Sequence, residues 1–224
     1  MRKQVYFYHV MKTAGTAINF AFFSSAGANP KEVYNILNEK EYHQIKGLVF
    51  TRGFDQISSN RFSYGFSHEP FYNFSLNENA FTFTCFRDPA ERVISIWNAL
   101  LTQKNRGNYR PGHKWLGSSF SEFLDNIPEP VLNGYLSMFS RGLCVDEGYA
   151  NVLTCDKVLL FERLEKDIVG LSRATGWPLC LNRVNVSDVS ETICSIDRKR
   201  LFLMLEKEYD LYNRVREKVL HVGQ

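Results

Sequence analysis

The stretch that decides the fold is VYFYHVMKTAGTA, residues 5–17. It begins with an apolar, aromatic run at residues 5–10 that is typical of a short buried strand. A loop with one lysine, one glycine and two threonines follows, and residues 17–23 have helical composition. Such a connection gathers backbone N–H groups and the positive end of a helix at one point, which predicts a site for a phosphate or sulfate group. The ordinary alternative is a plain strand–turn–helix connection with a solvated lysine.

Strand-like runs alternate with helix-like segments along the rest of the chain. Further strands are predicted where β-branched and aromatic residues dominate, at residues 47–51, 63–67, 80–86 and 157–161. One helix is predicted to begin with Asp88 as its N-cap and Pro89 as its first residue. Other helices are predicted at residues 118–124, 129–139, 164–175 and from 195 or 197 to 219. The alternation predicts an α/β fold with a central, mainly parallel sheet flanked by helices.

Size and composition are those of an ordinary globular domain. The 224 residues, with 44% hydrophobic and 23% charged side chains, favour a single domain over residues 1–224 and exclude disordered and collagen-like classes. A net charge of +3 is too small to predict a nucleic-acid partner. The five cysteines form no C-x-x-C pair, which argues against a zinc ribbon or a disulfide framework. No signal peptide and no run of about 18 apolar residues is present, so a cytoplasmic location without a membrane partner is expected.

A second group of polar residues follows the predicted strand at residues 80–86. Arg87 stands at the carboxyl end of that strand, where open α/β sheets bind their ligands, and Ser95 lies two turns into the next helix. An arginine fork with a hydroxyl group nearby can bind a phosphate. The alternative is that Arg87 pairs with Asp88 or Glu91 and that Ser95 only serves helix packing.

Together, the two motifs resemble those of a known family. Residues 9–17 are similar to the loop H-(I/V)-P-K-(T/S)-(A/G)-G-T-(S/T), and residues 83–95 to the segment F-x-x-x-R-(D/N)-P-x-x-R-x-x-S, of sulfotransferases related to heparan sulfate 2-O-sulfotransferase. Weaker similarities follow in the family's order, at FERL (161–164), RVNVS (183–187) and YDLY (209–212). The resemblance implies a P-loop-like sulfotransferase fold, with 3′-phosphoadenosine 5′-phosphosulfate (PAPS) as the sulfuryl donor.

The resemblance also implies roles for the residues of both motifs. The expected donor-binding residues are those of the loop, for the 5′-phosphosulfate, and the two later ones, for the 3′-phosphate: Lys12, Thr13, Ala14, Gly15, Thr16, Ala17, Arg87 and Ser95. Lys12 is also expected to be catalytic, by stabilising the charge that develops on the transferred group and the bridging oxygen. Two positions depart from the family pattern. Met11 replaces a proline, which removes rigidity, and Ala17 replaces a hydroxyl residue, which leaves only its backbone N–H.

The catalytic base is expected to be His68. The family has a histidine base at a strand end in a G-H-x-x-F region, and YGFSHEPF at residues 64–71 is similar to it, with two extra residues between glycine and histidine. His9 matches the family's histidine at the end of the first strand, which we interpret as positioning the loop. The alternative for His68 is an ordinary surface histidine beside Glu69.

Three functions are open at this point. The first is PAPS-dependent transfer of a sulfuryl group, without a required metal, to a hydroxyl group of a sugar, a tyrosyl peptide or a small natural product. The second is a nucleotide kinase, against which the lack of a Walker A loop argues. The third is a non-catalytic nucleotide-binding protein, which would need no base at His68. The acceptor is expected to bind to loops at residues 54–74 and 105–120, and the oligomeric state is not predicted.

Overall fold

The computed structural model describes residues 2–108, 111–181 and 193–222. Its strands are β1 Val5–Tyr8, β2 Tyr42–Ile45, β3 Leu48–Thr51, β4 Tyr64–Ser67, β5 Phe81–Phe86 and β6 Lys157–Leu160. They form one sheet in the order β2-β3-β4-β1-β5-β6, in which only β2 runs antiparallel to its neighbour. The predicted α/β fold with a central, mainly parallel sheet is therefore confirmed.

Helices cover the sheet. In chain order they are α1 Gly15–Ser25, α2 Pro30–Lys40, α3 Phe54–Ser58, α4 Pro89–Asn105, α5 Phe120–Asn126, α6 Glu129–Leu132, α7 Gly134–Phe139, α8 Val145–Val152, α9 Leu164–Thr175, α10 Ser195–Met204 and α11 Glu206–Val222. Short 3-10 helices lie at Phe71–Asn73, Pro111–Leu116 and Phe161–Arg163. None of the helices in the described ranges has the length and apolar composition that crossing a membrane requires.

β1 lies inside the sheet because both of its faces are apolar. Successive strand residues point to opposite sides, so Val5 and Phe7 pack with residues of α1, α2 and α9, whereas Tyr6 and Tyr8 pack with α7, α8 and α11. All four side chains are buried. The continuous apolar run, without polar alternation, is what a parallel strand covered on both faces requires.

The start of α4 follows the predicted capping pattern. The Asp88 carboxylate accepts a hydrogen bond of 3.0 Å from the backbone N–H of Glu91, and Pro89 is the first helical residue. Behind this cap, the buried face of α4 packs on α5 and α10 in a third apolar cluster. The cap fixes where the chain leaves β5, and with it the position of the residue between them, Arg87.

Several elements differ from the sequence-based prediction. The predicted helix at 129–139 is two short helices that meet at the non-helical Asn133, and the final predicted helix is divided at Leu205. The first break precedes Gly134, where a Cβ atom would lie 2.6 Å from Nη1 of the buried Arg92. α2, β2, α3 and α8 were not predicted. The RVNVS motif at 183–187 lies outside the described residues.

A buried ion pair joins α4 to α11. Arg92 and Glu208 have no exposed side-chain surface and approach to 3.8 Å, Nη2 to Oε2. Arg92 also donates to the carbonyl oxygens of Val131 and Leu132, at the end of α6. Glu208 accepts the backbone N–H groups of the first turn of α7, at 3.2 and 2.8 Å. Burial raises the pKa of Glu208, while Arg92 and these two N–H groups oppose the rise. The pair thus holds α6 and α7 in place beside the sheet.

Candidate active site

Three neighbouring strands deliver the site residues to one edge of the sheet. β1 lies between β4 and β5, and all three are parallel, so that their carboxyl ends are adjacent. His9 follows β1, His68 follows β4 and Arg87 follows β5. The N–H of His9 donates to the Ser67 carbonyl at 3.0 Å, which extends the β1–β4 pairing up to the loop. The strand order reverses at β1, with β4 and β3 on one side and β5 and β6 on the other, and open α/β sheets form their binding sites at such a switch point.

The β1–α1 loop, residues 9–14, has an unusual backbone. Lys12 and Ala14 have φ angles of 67° and 69°, in the left-handed region that residues with side chains seldom adopt. The hydroxyl of Thr13 donates to the Val10 carbonyl at 2.8 Å and is buried, which braces the turn from within. The side chain of Thr13 is thus occupied inside the loop, so the donor that Thr13 can offer to a ligand is its backbone N–H.

The first turn of α1 offers unpaired backbone N–H groups. Ala14 is the N-cap and makes no side-chain capping bond, and the first helical bond runs from Ile18 to its carbonyl at 3.1 Å. The N–H groups of Gly15, Thr16 and Ala17 therefore have no partner within the helix. No acidic side chain lies in this turn. Unpaired N–H groups and a helix dipole are what an anion site requires, so the structure is compatible with the predicted site, whose occupation by an anion stays a prediction.

Gly15 is required by the ring of His9. A Cβ atom at position 15 would lie 1.7 Å from Nε2 of His9, which no side chain permits. The His9 ring stacks on Phe7 with 5.0 Å between centroids, and its Nδ1 atom is buried without a partner in the described residues. The ring therefore lies across the start of α1 and fixes the loop against the helix. This is the loop-positioning role that the sequence analysis assigns to His9.

His68 has a defined tautomer. Its Nδ1 lies 2.6 Å from the carbonyl oxygen of His9. Because a carbonyl oxygen can only accept, Nδ1 carries the proton in the neutral ring and Nε2 keeps its lone pair. The two imidazole rings lie 4.4 Å apart at an angle of 35°. The hydrogen bond at Nδ1 thus fixes the His68 ring, and Nε2 is available to accept a proton.

The surroundings keep both imidazoles neutral. Burial, followed by the charges of His68, Arg52 and Lys12, lowers the pKa of His9 well below its usual 6.5. Part of the His68 ring is exposed, yet desolvation of its inner side still lowers its pKa below 6.5; the His9 carbonyl opposes this shift and the charge of Arg52 adds to it. Near neutral pH, His68 is therefore unprotonated at Nε2.

Lys12 and Arg87 bring two cations together without a carboxylate between them. Burial first, and then the charge of Arg87, lower the pKa of Lys12. Nη1 of Arg87 lies 3.5 Å from the backbone carbonyl of Lys12. Neither side chain forms an ion pair with any residue that the structure describes. Two partly desolvated cations without acidic partners are stabilised by an anion, which is the environment that the predicted phosphate site requires.

The backbone of Arg87 is held at both of its polar groups by Tyr135, a residue that sequence reasoning did not assign. The Arg87 N–H donates to the Tyr135 hydroxyl at 2.8 Å, and that hydroxyl donates to the Arg87 carbonyl at 2.7 Å. The Tyr135 ring stacks on Phe86, with centroids 4.2 Å apart. The Arg87 guanidinium lies 4.4 Å from the ring centroid of Phe161. The two tyrosine bonds span 48 residues, so no local sequence signal marks them.

Ser95 lies two turns into α4, half-buried, and its hydroxyl makes no hydrogen bond to the described residues. The role of Ser95 toward a 3′-phosphate therefore stays a prediction. In the described ranges, no group of three or more His, Cys, Asp or Glu side chains is arranged to hold a metal ion.

Comparison with known proteins identifies the family. A family model described as the sulfotransferase family matches residues 1–213, almost the whole chain. The chain belongs to the sulfotransferase family. The resemblance to the family of carbohydrate-type sulfotransferases, drawn from the two motifs, is confirmed, and the protein is a transferase of the sulfotransferase type. A search of curated proteins found no match.

For this sulfotransferase, the fit of His9 over Gly15 gives a first prediction. In Gly15→Ala, the new methyl group displaces the His9 ring, so we expect the free energy of unfolding in urea to fall by ~1–3 kcal/mol, as overpacking does. Gly142→Ala is the matched control, because its Cβ atom would meet no atom within 4 Å, and it should change stability by less than about 0.5 kcal/mol. Equal stability of the two variants would contradict the assigned contact.

Proposed function

We propose that the protein transfers a sulfuryl group from PAPS to an acceptor hydroxyl, with Lys12 and His68 as catalytic residues. The observation that carries the proposal is the pair of uncompensated cations, Lys12 and Arg87, beside the unpaired N–H groups of α1. Membership of the family implies that the protein uses a sulfuryl donor. The two cations support a donor that carries anionic groups at two places.

Each anionic group of PAPS has matching protein groups. The 5′-phosphosulfate is assigned to Lys12 and to the N–H groups of Gly15, Thr16 and Ala17, with the Thr13 and Ala14 backbone as the turn that presents them. The 3′-phosphate is assigned to Arg87, whose guanidinium is restrained by Phe161, and to the Ser95 hydroxyl. Arginine suits this position because its planar fork binds a phosphate through two parallel hydrogen bonds.

The proposed reaction is an in-line displacement at sulfur. The acceptor oxygen forms a bond to sulfur as the bond between sulfur and the bridging phosphate oxygen breaks, and the acceptor proton moves to Nε2 of His68. The products are a sulfate ester and adenosine 3′,5′-bisphosphate. Lys12 stabilises the negative charge that builds up on the bridging oxygen. The Nδ1–H bond from His68 to the His9 carbonyl holds the ring in the tautomer that accepts this proton.

Two alternatives share the anion site but not the rest of the arrangement. A nucleotide kinase would use the loop for the phosphates of magnesium-bound ATP, but Lys12 precedes Gly15 instead of following a second glycine as in a Walker A loop. A non-catalytic nucleotide-binding protein would have no use for a base. The neutral, oriented imidazole of His68 favours the catalytic function over this alternative.

Calorimetry with three ligands tests the proposal. Adenosine 3′,5′-bisphosphate should bind without added metal, and more tightly than ATP or magnesium-ATP, because only the bisphosphate has a 3′-phosphate for Arg87 and Ser95. Transfer is then measured as the gain of a sulfuryl group by mass spectrometry, with PAPS and a panel of hydroxyl acceptors. Selective binding of magnesium-ATP would refute the proposal.

His68 provides a prediction about turnover. In His68→Ala, kcat should fall by at least about tenfold, since a positioned base contributes ~10²–10⁴-fold, while the affinity for adenosine 3′,5′-bisphosphate stays near that of the wild type. Because the pKa of His68 lies below 6.5, wild-type kcat should be constant near neutral pH and decline only below pH 6.5, as Nε2 becomes protonated. The control His43→Ala, on the edge strand β2, should keep both values. Unchanged turnover in His68→Ala would exclude His68 as the base.

Tyr135 provides a prediction about the donor. Tyr135→Phe removes both hydrogen bonds to the Arg87 backbone, each worth about 0.5–1.5 kcal/mol, so the affinity for adenosine 3′,5′-bisphosphate should weaken about tenfold. Affinity for adenosine 5′-phosphate, which lacks the 3′-phosphate, should change little. Tyr149→Phe is the matched control, because the Tyr149 hydroxyl has no hydrogen bond in the described residues. Equal weakening of both nucleotides would show that Tyr135 does not act through the 3′-phosphate.

A further inference from the structure

A cavity of about 470 Å³ opens beside His68, and we refer to it as the His68 cavity. Its lining includes His68 and the start of the β1–α1 loop, so it adjoins the point where the proposed sulfuryl transfer takes place. Its volume lies within the roughly 300–1,000 Å³ of small-molecule sites. The opposite walls come from α6, α7 and the segment after α7. Within the predicted acceptor loops, His68, Pro70 and Tyr72 belong to the lining, whereas no described residue of 105–120 does.

The walls of the His68 cavity are mainly apolar. Its apolar lining residues are Val10, Met11, Pro70, Tyr72, Pro130, Val131, Gly134, Met138 and Leu143. Of its two serines, Ser140 already donates to Glu147 at 2.7 Å and accepts from the Cys144 N–H at 2.8 Å, so that Ser137, whose hydroxyl makes no hydrogen bond to the described residues, is the one serine left to pair with a ligand. A hydroxyl group of a ligand that is buried here without a partner costs about 1–3 kcal/mol. A sugar, which carries hydroxyl groups around its ring, therefore fits these walls poorly.

The charges of the lining cancel. Arg92 is neutralised by the buried Glu208, and its Nη2 donates to the carbonyl oxygens of Val131 and Leu132, whereas its buried Nε and Nη1 have no partner in the described residues. Arg141 lies over the ring of Tyr72, 5.1 Å from its centroid, and Glu129 supplies the opposite charge. Binding a polyanion requires a local excess of positive charge, which these residues do not supply.

We propose, on the basis of the sulfotransfer function above, that the acceptor is a compact alcohol or phenol with an apolar body and not a polyanionic glycan chain. Its body packs against Val131, Met138 and Leu143, and its hydroxyl group reaches Nε2 of His68. The atoms balance as in the transfer step above: the alcohol or phenol loses its proton to His68 and leaves as its sulfate ester. Burial of hydrocarbon surface against the apolar walls contributes about 25 cal/mol of binding free energy per Å².

Leu143 offers a substitution that changes the cavity and spares the backbone. Its φ angle is 52°, in the left-handed region, which asparagine adopts more readily than leucine. Leu143→Asn should raise KM for an apolar acceptor about tenfold, as the loss of roughly two buried methylene groups would, and leave the affinity for adenosine 3′,5′-bisphosphate unchanged. Lys46→Asn is the matched control, since Lys46 has a φ angle of 49° in the turn between β2 and β3, away from the cavity.

The deciding experiment supplies PAPS with 2-naphthol, cyclohexanol or heparosan, an unsulfated polyanionic glycan, and measures sulfuryl gain by mass spectrometry. We expect saturable transfer to 2-naphthol or cyclohexanol, an increase of KM in Leu143→Asn alone, and no transfer to heparosan. Transfer to heparosan but not to the small alcohols would overturn the acceptor proposal and leave the sulfotransfer function standing. Binding of adenosine 3′,5′-bisphosphate without transfer to either small alcohol would have the same consequence. Failure to bind the bisphosphate would instead overturn the proposed function.

Discussion

The contact between the His9 ring and the bare Cα of Gly15 is the constraint on which the site depends. Because position 15 has no side chain, the imidazole reaches the first turn of α1 and holds the β1–α1 loop closed against it. The carbonyl oxygen of the same histidine receives the Nδ1–H of His68. One residue at the end of β1 thus sets both the geometry of the anion site and the tautomer of the proposed base.

The electrostatics of the site follow from burial without acidic neighbours. Burial, and after it the charge of Arg87, lower the pKa of Lys12. An anionic ligand placed between the two cations removes the unfavourable interaction between them. Burial is also the main cause of the lowered pKa values of His9 and His68, and the charge of Arg52 adds to it at both rings. Burial at the ends of these strands therefore accounts both for the lowered pKa of Lys12 and for the neutral state of His68.

The sequence predicts what local patterns encode. The central strands, the cap of α4 at Asp88 and the positions of Lys12 and Arg87 follow from short segments, and the structure or the family match bears out the fold they imply. Other features join residues that are far apart in the chain, namely the hydrogen bonds of Tyr135 to Arg87 and the Arg92–Glu208 ion pair. No local sequence pattern predicts them. The roles of Ser95 and His68, the single domain and the cytoplasmic location stay predictions.

Helix α7 serves two functions through its two faces. Gly134, Ser137 and Met138 line the His68 cavity, whereas Tyr135 and its buried neighbours hold Arg87 and receive Glu208. Substitutions on the cavity face can alter which acceptor fits, whereas substitutions on the other face disturb the donor half of the site. The period of one short helix thus separates Ser137 and Met138, where evolution can reshape the cavity, from Tyr135, while Gly134 is held to glycine by the neighbouring Arg92.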